Sequence, residues 1–210
     1  TAKCIELMRH LLATSKADDT LQVITFASNT DKLFKAPVPV NVETSSRALR
    51  FTDGLKGCGG TEMLKGIRAA IDEPADPKRV RIIILLTDGF IGNEAQIVEA
   101  VGKGCGDKIR FWCVGIGSSP NRFLVDGVAK QGGGMSKVLG LDDAAEPLAQ
   151  EIMERIHRAQ LSKVKIDWGG MNIWETYPAQ VPDLWAGRPV VIYGQYDPTD
   201  AQMQRNLTVS

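Results

Sequence analysis

The chain predicts an α/β fold, a doubly wound, mostly parallel sheet flanked by helices, with a small antiparallel β element at the C-terminal end. Three observations carry this. Strand-like and helix-like segments alternate through most of the 210 residues. The run "RVRIIILLT" at 79–87 is apolar at consecutive positions from Ile82 to Leu86, which marks a strand buried on both faces. Beyond about Ser162 the alternation stops: three strand-like stretches follow one another with no helix between them.

In order, Ile5, Met8 and Leu12 recur at helical spacing and predict a helix over 2–16. Leu21, Val23, Ile24 and Phe26 predict a strand over 21–27, followed by a short strand at 32–35. Helices are expected at 44–54 and 61–72, separated by "KGCGG", whose glycines forbid regular helix. After the strand at 81–87 come a helix at 92–103, the strand "IRFWCVGIG", a helix at 121–131 and the strand "MSKVLG". Leu148, Ile152, Ile156 and Ala159 mark a last helix, with Asp142 or Asp143 as its cap and Pro147 tolerated in its first turn. "KVKIDWGG", "NIWETY" and "RPVVIYGQY" then read as antiparallel strands, so the expected division is 1–161 and 162–210. The second piece has too few strands to close a domain alone and needs another surface against its aromatic side.

Composition narrows the function. Lys+Arg 25 against Asp+Glu 25 gives a net charge of +0, which supplies no basic face for nucleic acid or an anionic membrane. No apolar stretch approaches the roughly 20 residues that span a bilayer, so no membrane insertion is expected. Cys4, Cys58, Cys105 and Cys113 have no CxxC spacing and read as buried or incidental thiols.

Two positions carry the candidate chemistry. Asp88 ends the apolar strand, and in an open parallel sheet ligands bind in the crevice at the carboxyl ends of strands. A carboxylate there either coordinates a cation or caps the following turn and helix. Thr61 follows the glycine-rich turn and opens a helix, where it serves as an N-cap or presents a hydroxyl at a positively polarised terminus. The glycines of "VGIGSSPN" let loops pack closely but form no GxGxxG fingerprint.

Taken together, "FTDGLKGCGGTEMLKGIRAAI", "LLTDGFIGNE", "FWCVGIGSSPN" and "PDLWAGRPVVIYGQY" resemble a von Willebrand factor type A domain. The subgroup they resemble is the one that follows a VIT domain, as in inter-alpha-trypsin inhibitor heavy chains. The resemblance implies a metal-ion-dependent adhesion site that binds a carboxylate of a protein partner through Mg²⁺ or Mn²⁺, with Thr61 and Asp88 as metal ligands. It also implies a DxSxS motif after a first, central strand, and no DxSxS occurs in this chain. The expectation is therefore a domain lacking its first strand, with weak or absent metal binding in this piece. The two sheet edges beside the gap would be open to a domain-swapped or edge-paired homodimer.

By the same resemblance, the C-terminal segment packs on a VIT-type domain. Trp168, Trp174, Trp185 and Tyr193 are then interface or core aromatics, or else ordinary local packing. Secretion or attachment to the cell envelope is suggested by the family alone. An enzyme is the rival class, but His10 and His157 both fall in predicted helices away from the strand ends, which disfavours a Ser-His-Asp or Cys-His arrangement. Asp53, Glu62 and Glu94 are near the rim in sequence and read as solvated loop residues or as hydrogen-bonding support. A scaffold domain without metal is the remaining alternative.

Overall fold

The computed structural model describes residues 2–55, 62–88, 91–158, 161, 164–179, 181–185, 187, 189–197 and 208–209. They belong to two compact units, Thr1–Glu154 and Arg155–Ser210.

Parallel pairing in the first unit is concentrated in three strands, β5 (Arg81–Thr87), β6 (Ile109–Ile116) and β7 (Gly133–Leu139), in the order β5-β6-β7. β6 is the middle strand and is buried from Arg110 to Ile116, as expected of a strand covered on both faces. Phe111 and Cys113 enter a cluster with Leu85 of β5 and with residues of three helices, α3 (Met63–Ile71), α4 (Glu94–Gly104) and α5 (Arg122–Gln131). Trp112, Val114 and Ile116, on the alternate positions, are buried outside that cluster. So are Leu7 and Leu11 of α1 (Ala2–Thr14) and Ala149 and Ile152 of α6 (Ala145–Ile156). β7 begins two residues earlier than "MSKVLG" suggests, because Gly134 lets the chains approach: a Cβ there would lie 2.0 Å from the Phe111 carbonyl oxygen.

The single strand expected over 21–27 is broken in two. β1 (Thr20–Leu21) pairs with β4 (Val38–Pro39), and β2 (Ile24–Phe26) pairs with β3 (Thr30–Lys32), both antiparallel. The break is at Gln22, whose amide oxygen accepts from Val23 N and Phe34 N while its Nε2 donates to Phe34 O at 2.7 Å. A side-chain amide thus takes the place of a backbone partner. α2 (Val42–Asp53) starts two residues before the expected 44, at an Asn41–Thr44 capping box. α1 stops at Thr14, short of residue 16, where the Thr14 and Ser15 hydroxyls bond carbonyls of the last turn. α6 departs from expectation at its start: Asp143 Oδ2 accepts from Gly140 N, and the Ala145 amide goes to Glu6 Oε1 of α1 at 3.4 Å.

Two strand edges have no ladder partner among the described residues. Arg81 N donates to Lys108 O, so in the parallel register of β5 on β6 the backbone groups of Arg81, Ile83 and Leu85 face β6. Those of Ile82, Ile84 and Leu86 face the other way, where β5 has no ladder partner among the described residues. In β2, Leu33 N donates to Val23 O, so Thr25 is turned to β3 and the backbone groups of Ile24 and Phe26 to the opposite edge, likewise without a ladder partner among the described residues. Phe26 and Ile83 pack on one cluster with Leu85 and with Met63 and Ile67 of α3. Residues of both strands therefore share one cluster with α3, although the strands do not pair. Lys32 and Glu73 add an ion pair at 2.6 Å, with the Glu73 side chain 3% exposed. The contact is close but off the angle of a hydrogen bond, so Coulombic attraction rather than a directed bond holds it.

The second unit is antiparallel throughout its described ladders: β8 (Ile166–Asp167) with β11 (Thr208–Val209), and β9 (Ile173–Tyr177) with β10 (Tyr193–Tyr196). Among the described residues of "RPVVIYGQY", Tyr193–Tyr196 joins a ladder. Trp185 is buried, Trp168 half-buried, and Trp174, Tyr177 and Tyr193 are exposed. Among the described residues no helix is long and apolar enough to cross a membrane.

Candidate functional site

Asp88 follows directly on β5 and is exposed at that strand's carboxyl end. It opens on a cleft of about 540 Å³ lined also by Ile116, Gly117, Ser118 and Ser119, where β6 ends, and by Lys3 and Glu6 of α1. This is the crevice that a parallel sheet offers to ligands. β5 delivers a carboxylate to it because an apolar run can end on a charge only where the strand emerges into solvent. β6 delivers small residues: Gly117, at φ 115, takes a conformation that L side chains rarely adopt, and the chain turns there into two exposed serines.

The floor beside α1 is fixed by charge. Lys3 Nζ lies 2.8 Å from Glu6 Oε2 and donates to Asp143 O at 2.9 Å. Bonding to Lys3, and the Ala145 amide after it, hold the Glu6 carboxyl below the usual range. The Cys4 thiol is raised, chiefly by burial, and the nearby Asp88 carboxylate raises it further. Cys105 and Cys113 are free and buried, their thiols pushed up by desolvation to about 11 and about 12. Cys58 lies outside the described residues.

The second expected ligand, Thr61, also lies outside the described residues. Its neighbour Glu62 donates its amide to Ala27 O at 2.9 Å, which ties the start of α3 to the end of β2. Of the rim acids, Asp53 pairs with Arg9 at 2.8 Å and Glu62 with Lys65 at 3.4 Å, so neither serves the cleft. Glu94 does not line it either, but its Oε1 accepts from Ile91 N, Gly92 N and Asn121 Nδ2. Ser118, Ser119, Lys3 and Glu6 were not singled out from the sequence. The signal for the serines was the small-residue turn at the end of β6; the α1 residues gave none. His10 and His157 do not line the cleft.

As a cation site the cleft is partial. Asp88 offers one carboxylate and Ser118 and Ser119 two hydroxyls, while the Glu6 carboxylate is engaged by Lys3. Among the described residues no group of three His, Cys, Asp or Glu side chains is placed to hold a metal. Mg²⁺ favours oxygen ligands in an octahedron, and this donor set does not by itself satisfy it.

Comparison with known proteins gives the family. The model of the von Willebrand factor type A domain matches residues 2–138. A von Willebrand factor A domain-containing protein of Dictyostelium discoideum is 30% identical over 199 residues, 93% of this chain. The chain spans 21% of that relative's length. Among solved structures, a von Willebrand factor type A protein from Catenulispora acidiphila superposes with a TM-score of 0.69 at 17% identity, over 92% of this chain and 50% of that one. Proximal thread matrix protein 1 of the mussel byssus, solved with zinc in its MIDAS motif, gives a TM-score of 0.56 at 15% identity over 76% of this chain and 43% of its own. The chain belongs to the von Willebrand factor type A family.

Proposed function

We propose that this chain is a protein-binding module whose Asp88 cleft is one part of a metal-ion-dependent adhesion site. The intact site holds Mg²⁺ or Mn²⁺ and presents it to a carboxylate of a protein partner. The observation that carries this reading is the position of Asp88, a carboxylate at the carboxyl end of a parallel strand, opening on a cleft that also takes the serine loop after β6. The cation is hard and prefers oxygen, which is what these groups supply. Thr61 is assigned as a hydroxyl ligand by the family's pattern. The zinc-occupied MIDAS motif of the mussel protein supports a divalent ion at such a site in a similar fold.

The remaining ligands come from a DxSxS motif on a further strand placed between β2 and β5. The edges of Ile82, Ile84 and Leu86 on one side and of Ile24 and Phe26 on the other, without a ladder partner among the described residues, support that placement. Without that strand the same edges favour pairing with a second copy of the chain. The exposed Tyr177 and Tyr193 support the VIT-containing subgroup, in which the C-terminal segment packs on another domain.

A scaffold without metal is favoured by one observation, the shortage of acidic ligands among the described residues. Calorimetric titration of Mg²⁺ into a longer form of the polypeptide that includes the DxSxS strand decides between the two. The adhesion-site reading predicts a micromolar Kd, about −8 kcal/mol, that is lost in Asp88→Ala. No binding at millimolar Mg²⁺ would leave the scaffold.

A further inference from the structure

We propose that Glu94 is a positioning residue of the Asp88 cleft: its carboxylate ties the loop leaving β5 to the loop leaving β6, so that Asp88 and the pair Ser118, Ser119 are held as one frame. The importance of the frame rests on the cleft being the functional site; the tie itself does not.

The geometry sets this apart from ordinary helix capping. Glu94 is the first residue of α4, where an acidic side chain commonly satisfies free amides of its own first turn. Its Oε1 also reaches back to Ile91 N and Gly92 N, both at 3.2 Å, which precede the N-cap Asn93 and follow β5 in the chain. Gly92, at φ 84, allows the turn that brings two successive amides onto one oxygen. The third bond leaves this loop altogether: Asn121 Nδ2 donates to the same oxygen at 2.8 Å, from the far end of the loop that carries Ser118 and Ser119.

Asn121 is itself fixed, because its Oδ1 caps α5 by accepting from Leu124 N at 3.2 Å. With that oxygen committed, the amide nitrogen has to face Glu94. One carboxylate oxygen therefore anchors the post-β5 loop, and through Asn121 it anchors the post-β6 loop to the head of α5. Bonding to its own backbone amide first, then to those of Gly92 and Ile91 and to Asn121, holds the Glu94 carboxyl below its usual range, so it is charged at neutral pH.

The test is ¹⁵N relaxation on the labelled chain as wild type, Glu94→Ala, Glu94→Gln and Asn121→Asp. The wild type should show order parameters near 0.85 at Ile91, Gly92, Ser118 and Ser119, falling below about 0.6 at all four in Glu94→Ala. Glu94→Gln keeps an acceptor oxygen in place and should retain the wild-type values. Asn121→Asp keeps the cap on Leu124 but turns the donor into a carboxylate facing Glu94. It should loosen Ser118 and Ser119 while Leu124 stays ordered, and it becomes the deciding variant if Glu94→Ala does not fold. The proposal is overturned if Ser118 and Ser119 are already loose in the wild type, or keep their order in both Glu94→Ala and Asn121→Asp, or if Glu94→Gln is as loose as Glu94→Ala. No metal enters these readings, so a failure of Mg²⁺ to bind the longer form would refute the adhesion site without touching the tie.

Discussion

Gly66 of α3 is pressed against Phe26 of β2: a Cβ on Gly66 would lie 2.7 Å from Phe26 Cδ1 and 2.9 Å from Phe26 Cβ. Glycine inside a helix costs about 1 kcal/mol relative to alanine, and here the cost is offset by the close approach of helix to strand. Because β2 and β5 do not pair among the described residues, this packing is one of the means that hold β2 to the cluster beneath α3. Gly66→Ala should therefore destabilise the chain by about 1–3 kcal/mol in urea unfolding, despite the gain in helix propensity. Combining it with Phe26→Leu should cost less than the sum of the single changes. A stabilised Gly66→Ala would contradict the contact.

The Lys3–Glu6 pair makes stability at acid pH depend on α1. Glu6 has a lowered folded-state value, chiefly through Lys3, so its unfolded form takes up a proton first as the pH falls from the ordinary 4.5. Its contribution is present in full above that value and is lost as the pH drops through the lowered folded value. Thermal melts of wild type and Glu6→Gln between pH 7 and pH 3 should therefore converge at the acid end, with the wild type ahead at pH 7. Parallel curves would show that Glu6 gains nothing from Lys3 and the Ala145 amide.

Hydrogen exchange should alternate along β5. The amides of Ile83 and Leu85 face β6, while those of Ile82, Ile84 and Leu86 face the edge that has no ladder partner among the described residues. In dilute solution the second set should exchange at least about tenfold faster, the factor that corresponds to one net hydrogen bond of roughly 1.4 kcal/mol. As concentration rises and copies pair through that edge, the alternation should fade, with a matching increase in mass by light scattering. Equal protection in a dilute monomer would mean that the edge is already filled.

Local signals made the parallel core legible. The unbroken run Ile82 to Leu86 announced β5, the helical spacing in the first segment announced α1, and Asp88 stood out because a charge closing such a run has to sit at the rim. What escaped sequence reading was set by side chains meeting across long separations. Gln22 interrupts a strand by bonding Phe34, Glu6 accepts from the first amide of α6, and Glu94 reaches Asn121. None of these residues carries a periodicity or a turn signature, since each acts through one polar group whose partner only the fold brings near. The serines of the cleft were visible as part of a turn, but their relation to Asp88 required the register of β5 on β6.

The measurement that bears most directly on the proposed site is the crystal structure of a longer polypeptide that carries the proposed DxSxS strand, soaked with Mn²⁺ and with the metal located by its anomalous scattering. The account predicts one strong peak in the cleft walled by Asp88 and Ser118, with the added strand paired to β5 along Ile82, Ile84 and Leu86, and loss of the peak in Asp88→Ala. A peak elsewhere, or none in that cleft with the added strand in place, would contradict it.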